Sequence, residues 1–423
     1  MKKDKKPKVG IVSLGCPRNL VDSEVILGNL KRKGYKIVDI PEADIAIVNT
    51  CSFIKEAKEE SIETILELAD LKKQGKLKKL IVSGCLPQRY SKELIPDLKE
   101  IDALTGRLSL NRFPTQRYNL VPKHFAYVKI CEGCDNNCSY CVIPKIKGKF
   151  KSRPIQEVLR EAELLDKKFT KEINIIGQDI TSYGIDIYGE PSLTKLLKQL
   201  LKHSKNIKWF RLLYTYPAHI DDELMELISK DERICKYIDL PVQHVNDRIL
   251  KLMNRHTDKR AIISLINKLR KKIPGLAIRT SLIVGFPSET DKEFKELLDF
   301  IQEVNFERLG VFMYSKEEGT TAFSFKKQIP DKTKRQRLDI IMTKQQEIAA
   351  QVNSRVLGKK MEVLIDEEAE NSKDNLFLGR TQADAPEVDG MVYVYSKSKL
   401  KPGDLVKVKI TDTYEYDLVG DKI

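Results

Sequence analysis

No stretch of this 423-residue chain stays apolar for long enough to span a membrane. Its basic start, residues 1–8, leads into an apolar piece, residues 9–14, that is too short for a secretory signal. The chain also lacks low-complexity linkers, and it lacks tandem repeats beyond one set of βα units. These absences predict a cytoplasmic protein of two to four domains with no membrane segment. Negative charge is in short supply, since 61 Asp and Glu face 75 Lys and Arg, a net of +14. Such an excess suits an acidic partner such as RNA or a ribosome, and it equally suits a lysine-rich surface tuned for solubility. Cysteine is sparse too, with eight in the chain. In a large cytosolic protein, cysteine points to metal or redox chemistry rather than to disulfides.

The cysteines are not scattered. Three short apolar runs, KVGIVSLGC, ADIAIVNTC and KLIVSGC, end at Cys16, Cys51 and Cys85, spaced 35 and 34 residues apart. That is the length of a βα unit. A helical stretch, NLVDSEVILGNLKRKG, follows the first and stops at Gly34. Residues 7–122 are therefore expected to form an open, parallel α/β sheet with helices on its faces. Six further apolar runs, HFAYVKI, EINIIGQD, IKWFRLLY, YIDLPVQH, LAIRTSLIVGF and RLGVFMY, alternate with helical segments. They predict a partial TIM-like (β/α)6 barrel with a connector helix over residues 123–355. From residue 356 the pattern turns to period-two alternation with turn signals such as KPGD, which predicts a small antiparallel β-barrel, OB-like, over residues 356–423. From Leu357 onward this tail holds 10 Lys and Arg and 14 Asp and Glu, a net of −4, so +18 sits on the remainder of a +14 chain.

KICEGCDNNCSYCVIP, residues 129–144, packs four cysteines into eleven residues. Cys134, Cys138 and Cys141 have C-x3-C-x2-C spacing and follow a strand, so their loop leaves the C-terminal rim of the barrel. Three thiolates on one loop suit three irons of a 4Fe-4S cubane and leave the fourth iron without a protein ligand. A structural zinc site would need two C-x2-C pairs. Cys131 with Cys134 and Cys138 with Cys141 could supply them, but three intervening residues leave little room to wrap one ion.

The C-x3-C-x2-C loop after a first barrel strand resembles that of the radical S-adenosylmethionine enzymes. The resemblance implies that S-adenosylmethionine completes the open iron and is cleaved by one electron to methionine and a 5′-deoxyadenosyl radical. It also implies that Cys131 is not a ligand. Tyr140, between two ligands, is expected either near the adenine or as a packing aromatic. Gln178 and Asp179 end the second strand, where the amino group of S-adenosylmethionine is met in that superfamily. Gln243 ends another strand beside His244, which reads as a structural hydrogen-bonder. Arg279 and Ser281 belong to a later strand, and these pieces together predict a cofactor pocket on one rim.

Cys16, Cys51 and Cys85 end strands of one parallel sheet, so they share the edge where such folds bind ligands. They could hold a second 4Fe-4S cluster, again with one free iron, or be three buried strand-end cysteines. The segments around them, SLGCPRNLVDSE, VNTCSFIKEAKEESIE and SGCLPQRY, resemble the N-terminal domain of the methylthiotransferases, and the tail resembles a TRAM domain. The resemblance covers nearly the whole chain and assigns one cluster to each cysteine triplet.

Within that family, GCDNNCSYCVIPKIKGKFKSRP and GRTQADAPEVDG are closer to the branch that modifies a ribosomal protein than to the tRNA branch. Members of the tRNA branch usually have glutamine where this chain has Pro17. The implied reaction replaces a β-hydrogen of an aspartate in small-subunit ribosomal protein S-twelve with a methylthio group. S-adenosylmethionine serves as radical source and methyl donor, and a cluster-bound sulfur is the atom transferred. The implied partners are that ribosomal protein, free or in the subunit, and an electron donor; RNA contact stays open. The acidic tail, with QADAPEVDG (residues 382–390) at a loop, supports a basic protein substrate over RNA. The competing readings are tRNA adenosine methylthiolation and a non-catalytic iron–sulfur RNA-binding protein.

Overall fold

A computed structural model describes residues 6–97, 99–108, 117–369 and 375–423. The first sheet has the order β2-β1-β3-β4-β5: β1 Lys8–Ser13, β2 Lys36–Ile37, β3 Ile45–Thr50, β4 Lys79–Gly84 and β5 Ala103–Thr105. Every pairing in it is parallel. The order reverses between β1 and β3, the switch point where doubly wound sheets bind ligands. The three cysteine-bearing units thus form the centre of the sheet. The edge strands β2 and β5 have two and three residues, too few to show any periodicity in sequence.

Helix α1, Pro17–Arg32, starts directly after Cys16, which is extended at the N-cap. Proline at the first helical position fits because its missing N–H would be unpaired there in any case. The helix stops before Gly34, whose φ of +82° lies in the left-handed region. Helix α2, Lys55–Lys73, presses Ile65, Leu68 and Ala69 onto Ala46, Val48, Leu80 and Val82 of the strands.

The second sheet is six-stranded and parallel, in the order β13-β12-β11-β10-β9-β6. Its strands are β6 Phe125–Lys129, β9 Glu172–Ile176, β10 Trp209–Leu212, β11 Ile234–Asp239, β12 Ala277–Val284 and β13 Arg308–Met313, with β7 Cys131–Glu132 and β8 Lys151–Ser152 pairing beside them. It does not close, because β6 and β13 both remain edges, and this is the partial barrel expected. Alternate residues such as Val128, Ile175, Leu212, Ile238 and Leu282 pack outward on the helices. The opposite set lines the interior and is covered by other domains: Phe125, Tyr127, Trp209 and Tyr237 pack against Val21 of α1 and Ala385 of the tail.

The tail is a closed five-stranded barrel in the order β14-β15-β16-β18-β17, with β14 Lys360–Glu368, β15 Leu376–Arg380, β16 Val392–Tyr395, β17 Leu405–Thr413 and β18 Leu418–Lys422. It departs from a wholly antiparallel barrel in one pair, since β16 and β18 run parallel. Among the described residues, no helix is long and apolar enough to cross a membrane.

One expectation is overturned. The acidic loop of the tail does not present its charge to a partner. It enters the barrel interior, where the Arg308 guanidinium donates to buried Asp384 and Arg279 and Tyr237 donate to Asp389. Arg211 donates to the Gln382 carbonyl at 2.6 Å, and Arg380 pairs with Glu172 at 2.8 Å. The Asp384 and Asp389 carboxylates are thus spent on arginines of the same chain and are not offered to a partner. Removing one member of such a pair strands the other in a low dielectric. Asp384→Ala is expected to destabilise the folded chain by about 3 kcal/mol, read as a lowered urea midpoint, whereas exposed Asp421→Ala leaves that midpoint in place.

Candidate active site

The C-terminal edge of the first sheet carries Cys16, Cys51 and Cys85. Gly15 makes their approach possible: at φ +83°, a Cβ there would sit 2.7 Å from Cys51 Cβ and 2.9 Å from its Sγ. The second triad lies on the loop between β7 and the short helix Ile143–Lys147. This loop is tied down along its length. Asn136 Nδ2 donates to Asp179 at 3.0 Å, the Ser139 amide to the Met253 carbonyl at 2.9 Å, and Asn254 Nδ2 to the Asn137 carbonyl at 2.9 Å. Gly133 is required at its entry, because a Cβ would fall 2.2 Å from the Lys149 carbonyl oxygen.

The two triads face each other. Cys85 packs on Val142, the residue after Cys141, and on Ile146 of the helix that follows. Arg18, two residues after Cys16, donates Nε to Cys16 Sγ at 3.5 Å and Nη1 to the Gly177 carbonyl on the barrel rim at 3.0 Å. Its guanidinium carbon stands 4.4 Å from the centre of the Tyr214 ring. A second arginine attends the other triad: Arg255 Nη1 lies 3.9 Å from Cys138 Sγ, and Nη2 donates to the Pro241 carbonyl at 2.6 Å.

All eight cysteines are free thiols. Burial pushes the Cys85 and Cys141 thiols up to about 12 and Cys134 to about 11, and it raises Cys51. Burial acts on Cys16 as well, but Arg18 and then Lys147 outweigh it and bring this thiol down to about 7. Ligation to metal must therefore displace protons from most of the set. Among the described residues, no three His, Cys, Asp or Glu side chains converge as ligands of a single ion must. A cubane takes each thiolate on a different iron, so three free thiols at a rim suit it better than zinc.

The residues expected to hold S-adenosylmethionine separate into groups. Gln178 keeps both side-chain polar atoms buried with no partner among the described residues, as a ligand-binding amide would before its ligand arrives. Ser281 belongs to the inward set of β12, and Gln243, beyond the end of β11 and at φ +70°, bridges to β12 opposite Leu282, its amide donating to the Ser281 carbonyl and its carbonyl accepting from the Ile283 amide. A non-glycine residue in the left-handed region is a strain that folds retain at functional sites. Tyr140 packs beside Ile249, Met253 and Phe286. Two of these residues have partners within the chain. The Asp179 carboxylate is saturated by Thr181, Ser182, His219 and Asn136, so it anchors the cysteine loop. Arg279 is drawn away by Asp389. The Cys131 thiol is fully buried, 3.5 Å from the Asp179 carbonyl, and Cys235 is buried near Arg211 and Glu172.

Sequence reading missed Arg18, Tyr214 and Arg255. Arg18 stood in the CPRN stretch with no assigned task, and Arg255 lies in no motif; only the fold places either beside a thiol.

A three-cysteine loop on the C-terminal rim of an open parallel barrel, facing three more thiols across an arginine, defines a radical S-adenosylmethionine enzyme with an auxiliary metal centre. The Radical SAM superfamily matches residues 128–301, the uncharacterized protein family UPF0004 residues 8–106, and the TRAM domain residues 357–423. The chain is 47% identical over 440 residues to the ribosomal protein uS12 methylthiotransferase RimO of Clostridioides difficile strain 630, covering 98% of each chain. It is 48% identical over 439 residues to that of Thermoanaerobacter sp. strain X514, covering 98% of this chain and 99% of the other. The chain belongs to the RimO family of radical S-adenosylmethionine methylthiotransferases, which use S-adenosylmethionine and 4Fe-4S clusters. In fold it also resembles two solved structures. One is the radical S-adenosylmethionine methyltransferase TsrM of Kitasatospora setae (TM-score 0.52, 13% identity, 73% of this chain and 75% of that one). The other is the cobalamin-dependent enzyme OxsB (TM-score 0.54, 12% identity, 81% and 56%).

Two outcomes test this site. In reduced, iron-free protein, iodoacetamide should alkylate Cys16 with a half-maximal rate near pH 7, whereas Cys85 resists at that pH. Anaerobically reconstituted Cys131→Ser should keep about eight irons per chain, and Cys141→Ser should fall to about four.

Proposed function

We propose that this enzyme exchanges a hydrogen for a methylthio group on the β-carbon of an aspartate in ribosomal protein uS12. The observation that carries the reading is that two thiol triads from separate domains meet at one place, with Cys85 against the segment after Cys141 and Arg18 bridging to the barrel rim. One centre alone would suffice to make a radical. A pair that meets suits a reaction joining a carbon and a sulfur handled separately.

When bound, the clusters and S-adenosylmethionine supply one-electron sulfonium cleavage, the sulfur and the methyl group. The electron comes from an external donor. The chain's own residues position and insulate. Asp179 and Asn136 fix the cysteine loop on the rim, and Gln178, Gln243 and Ser281 offer polar atoms along it. Arg18 and Arg255 place positive charge against a thiol of each triad, which favours the ligating thiolates. The aspartate β-hydrogen sits next to a carboxylate and is not acidic enough for a side-chain base, so radical removal is the accessible route. A ribosomal substrate fits a cytoplasmic enzyme, and the tail's match to the TRAM domain supports contact with ribosomal RNA beside that substrate.

Expression in a host lacking both kinds of methylthiotransferase, followed by mass spectrometry of uS12 and of tRNA nucleosides, should show one methylthio group on the uS12 aspartate and none on tRNA. Modification of tRNA alone would establish the tRNA reading. Absence of 5′-deoxyadenosine on reduction with S-adenosylmethionine would make the chain a non-catalytic cluster protein.

A further inference from the structure

We propose that Arg18 binds the carboxylate of the target aspartate and so selects aspartate over its neutral isostere asparagine. This inference rests on the aspartate reading above. In an aspartate the carboxylate is bonded to the reacting β-carbon, so its counter-charge must lie where the two triads meet. Among the described residues, the cations near that place include Lys147, Arg255 and Arg18. Lys147 is 3% exposed and engaged by Asp22 at 3.5 Å and Glu132 at 3.1 Å. Arg255 serves one triad only, bound to the Pro241 carbonyl and near Cys138. Arg18 bonds both to a thiol of the first triad, Cys16, and to the barrel rim at the Gly177 carbonyl, and its Nη2 has no hydrogen bond to the described residues.

The setting of Arg18 is built rather than incidental. Its guanidinium stacks on Tyr214, a face that leaves the N–H edge available for a carboxylate. Tyr214 itself is held at φ +66° by its amide donating to Asp239 at 2.8 Å and its carbonyl accepting from Ile180 at 3.1 Å. Strained backbone under a planar cation marks a platform whose orientation matters. The residue after the Gly177 carbonyl is Gln178, with its two unpartnered buried polar atoms, so the same turn offers neutral donors and acceptors beside the cation.

The test uses cluster-loaded enzyme with S-adenosylmethionine, before any reductant is added, so that binding is read apart from turnover. Recombinant uS12 carrying aspartate or asparagine at the target position is titrated against wild type, Arg18→Gln, Arg18→Lys and Tyr214→Leu. Wild type should bind the aspartate form at least about tenfold more tightly than the asparagine form. Arg18→Gln should bind both as wild type binds asparagine, and Arg18→Lys should recover part of the preference. Iron content of each variant is measured alongside. If Arg18→Gln loses iron, Tyr214→Leu carries the test, with a reduced preference at full iron content. An unchanged preference in Arg18→Gln, or in an iron-replete Tyr214→Leu, overturns the assignment of Arg18 alone. If wild type neither binds nor modifies either protein, the aspartate reading itself falls.

Discussion

The structure turns on one buried ionic contact between domains. Lys129, at the end of the first barrel strand and fully buried, donates to Asp22 of α1 and to Glu132 at 3.3 Å; Lys147 joins the same two carboxylates. Bringing four charges out of water is costly, and apolar residues of like volume would serve stability as well or better. What the network provides is registration. It fixes α1 over the barrel rim, and α1 begins at Cys16. The position of the first triad relative to the second is thereby set by an ionic lock about two turns along α1 from Cys16. Charge also suits this place chemically, since Lys147 faces Cys16 and Cys85 and helps to favour their thiolates.

The tail closes the barrel from the opposite side by the same means. Arg211, Arg380 and Glu172 form a chain of buried charge, Arg308 and Arg279 take Asp384 and Asp389, and Ala385 fills the apolar gap beside Trp209 and Tyr237. An open six-stranded barrel has an interior lined by large polar residues and two unpaired edges, and it could not exclude water alone. The N-terminal domain and the tail loop complete it. Burial follows, and with it the raised thiol pKa values of Cys51, Cys85, Cys134 and Cys141, whose protons a metal must displace on ligation.

The sequence by itself determined the cysteine triplets, the βα units that carry them and the three-domain order. Strand ends and loop spacing are local, and local rules decide them. The sequence could not say that Asp179 would be consumed in holding the cysteine loop or that the tail's acids would be buried, because a carboxylate's role depends on which cation the fold brings to it. Asp384 of the tail loop is 76 residues from Arg308 in the chain and within hydrogen-bond reach in space. Only tertiary structure joined the two triads, put Arg18 between them and set its partner Tyr214 beneath it, since none of those contacts lies within one element and each needs two domains already docked.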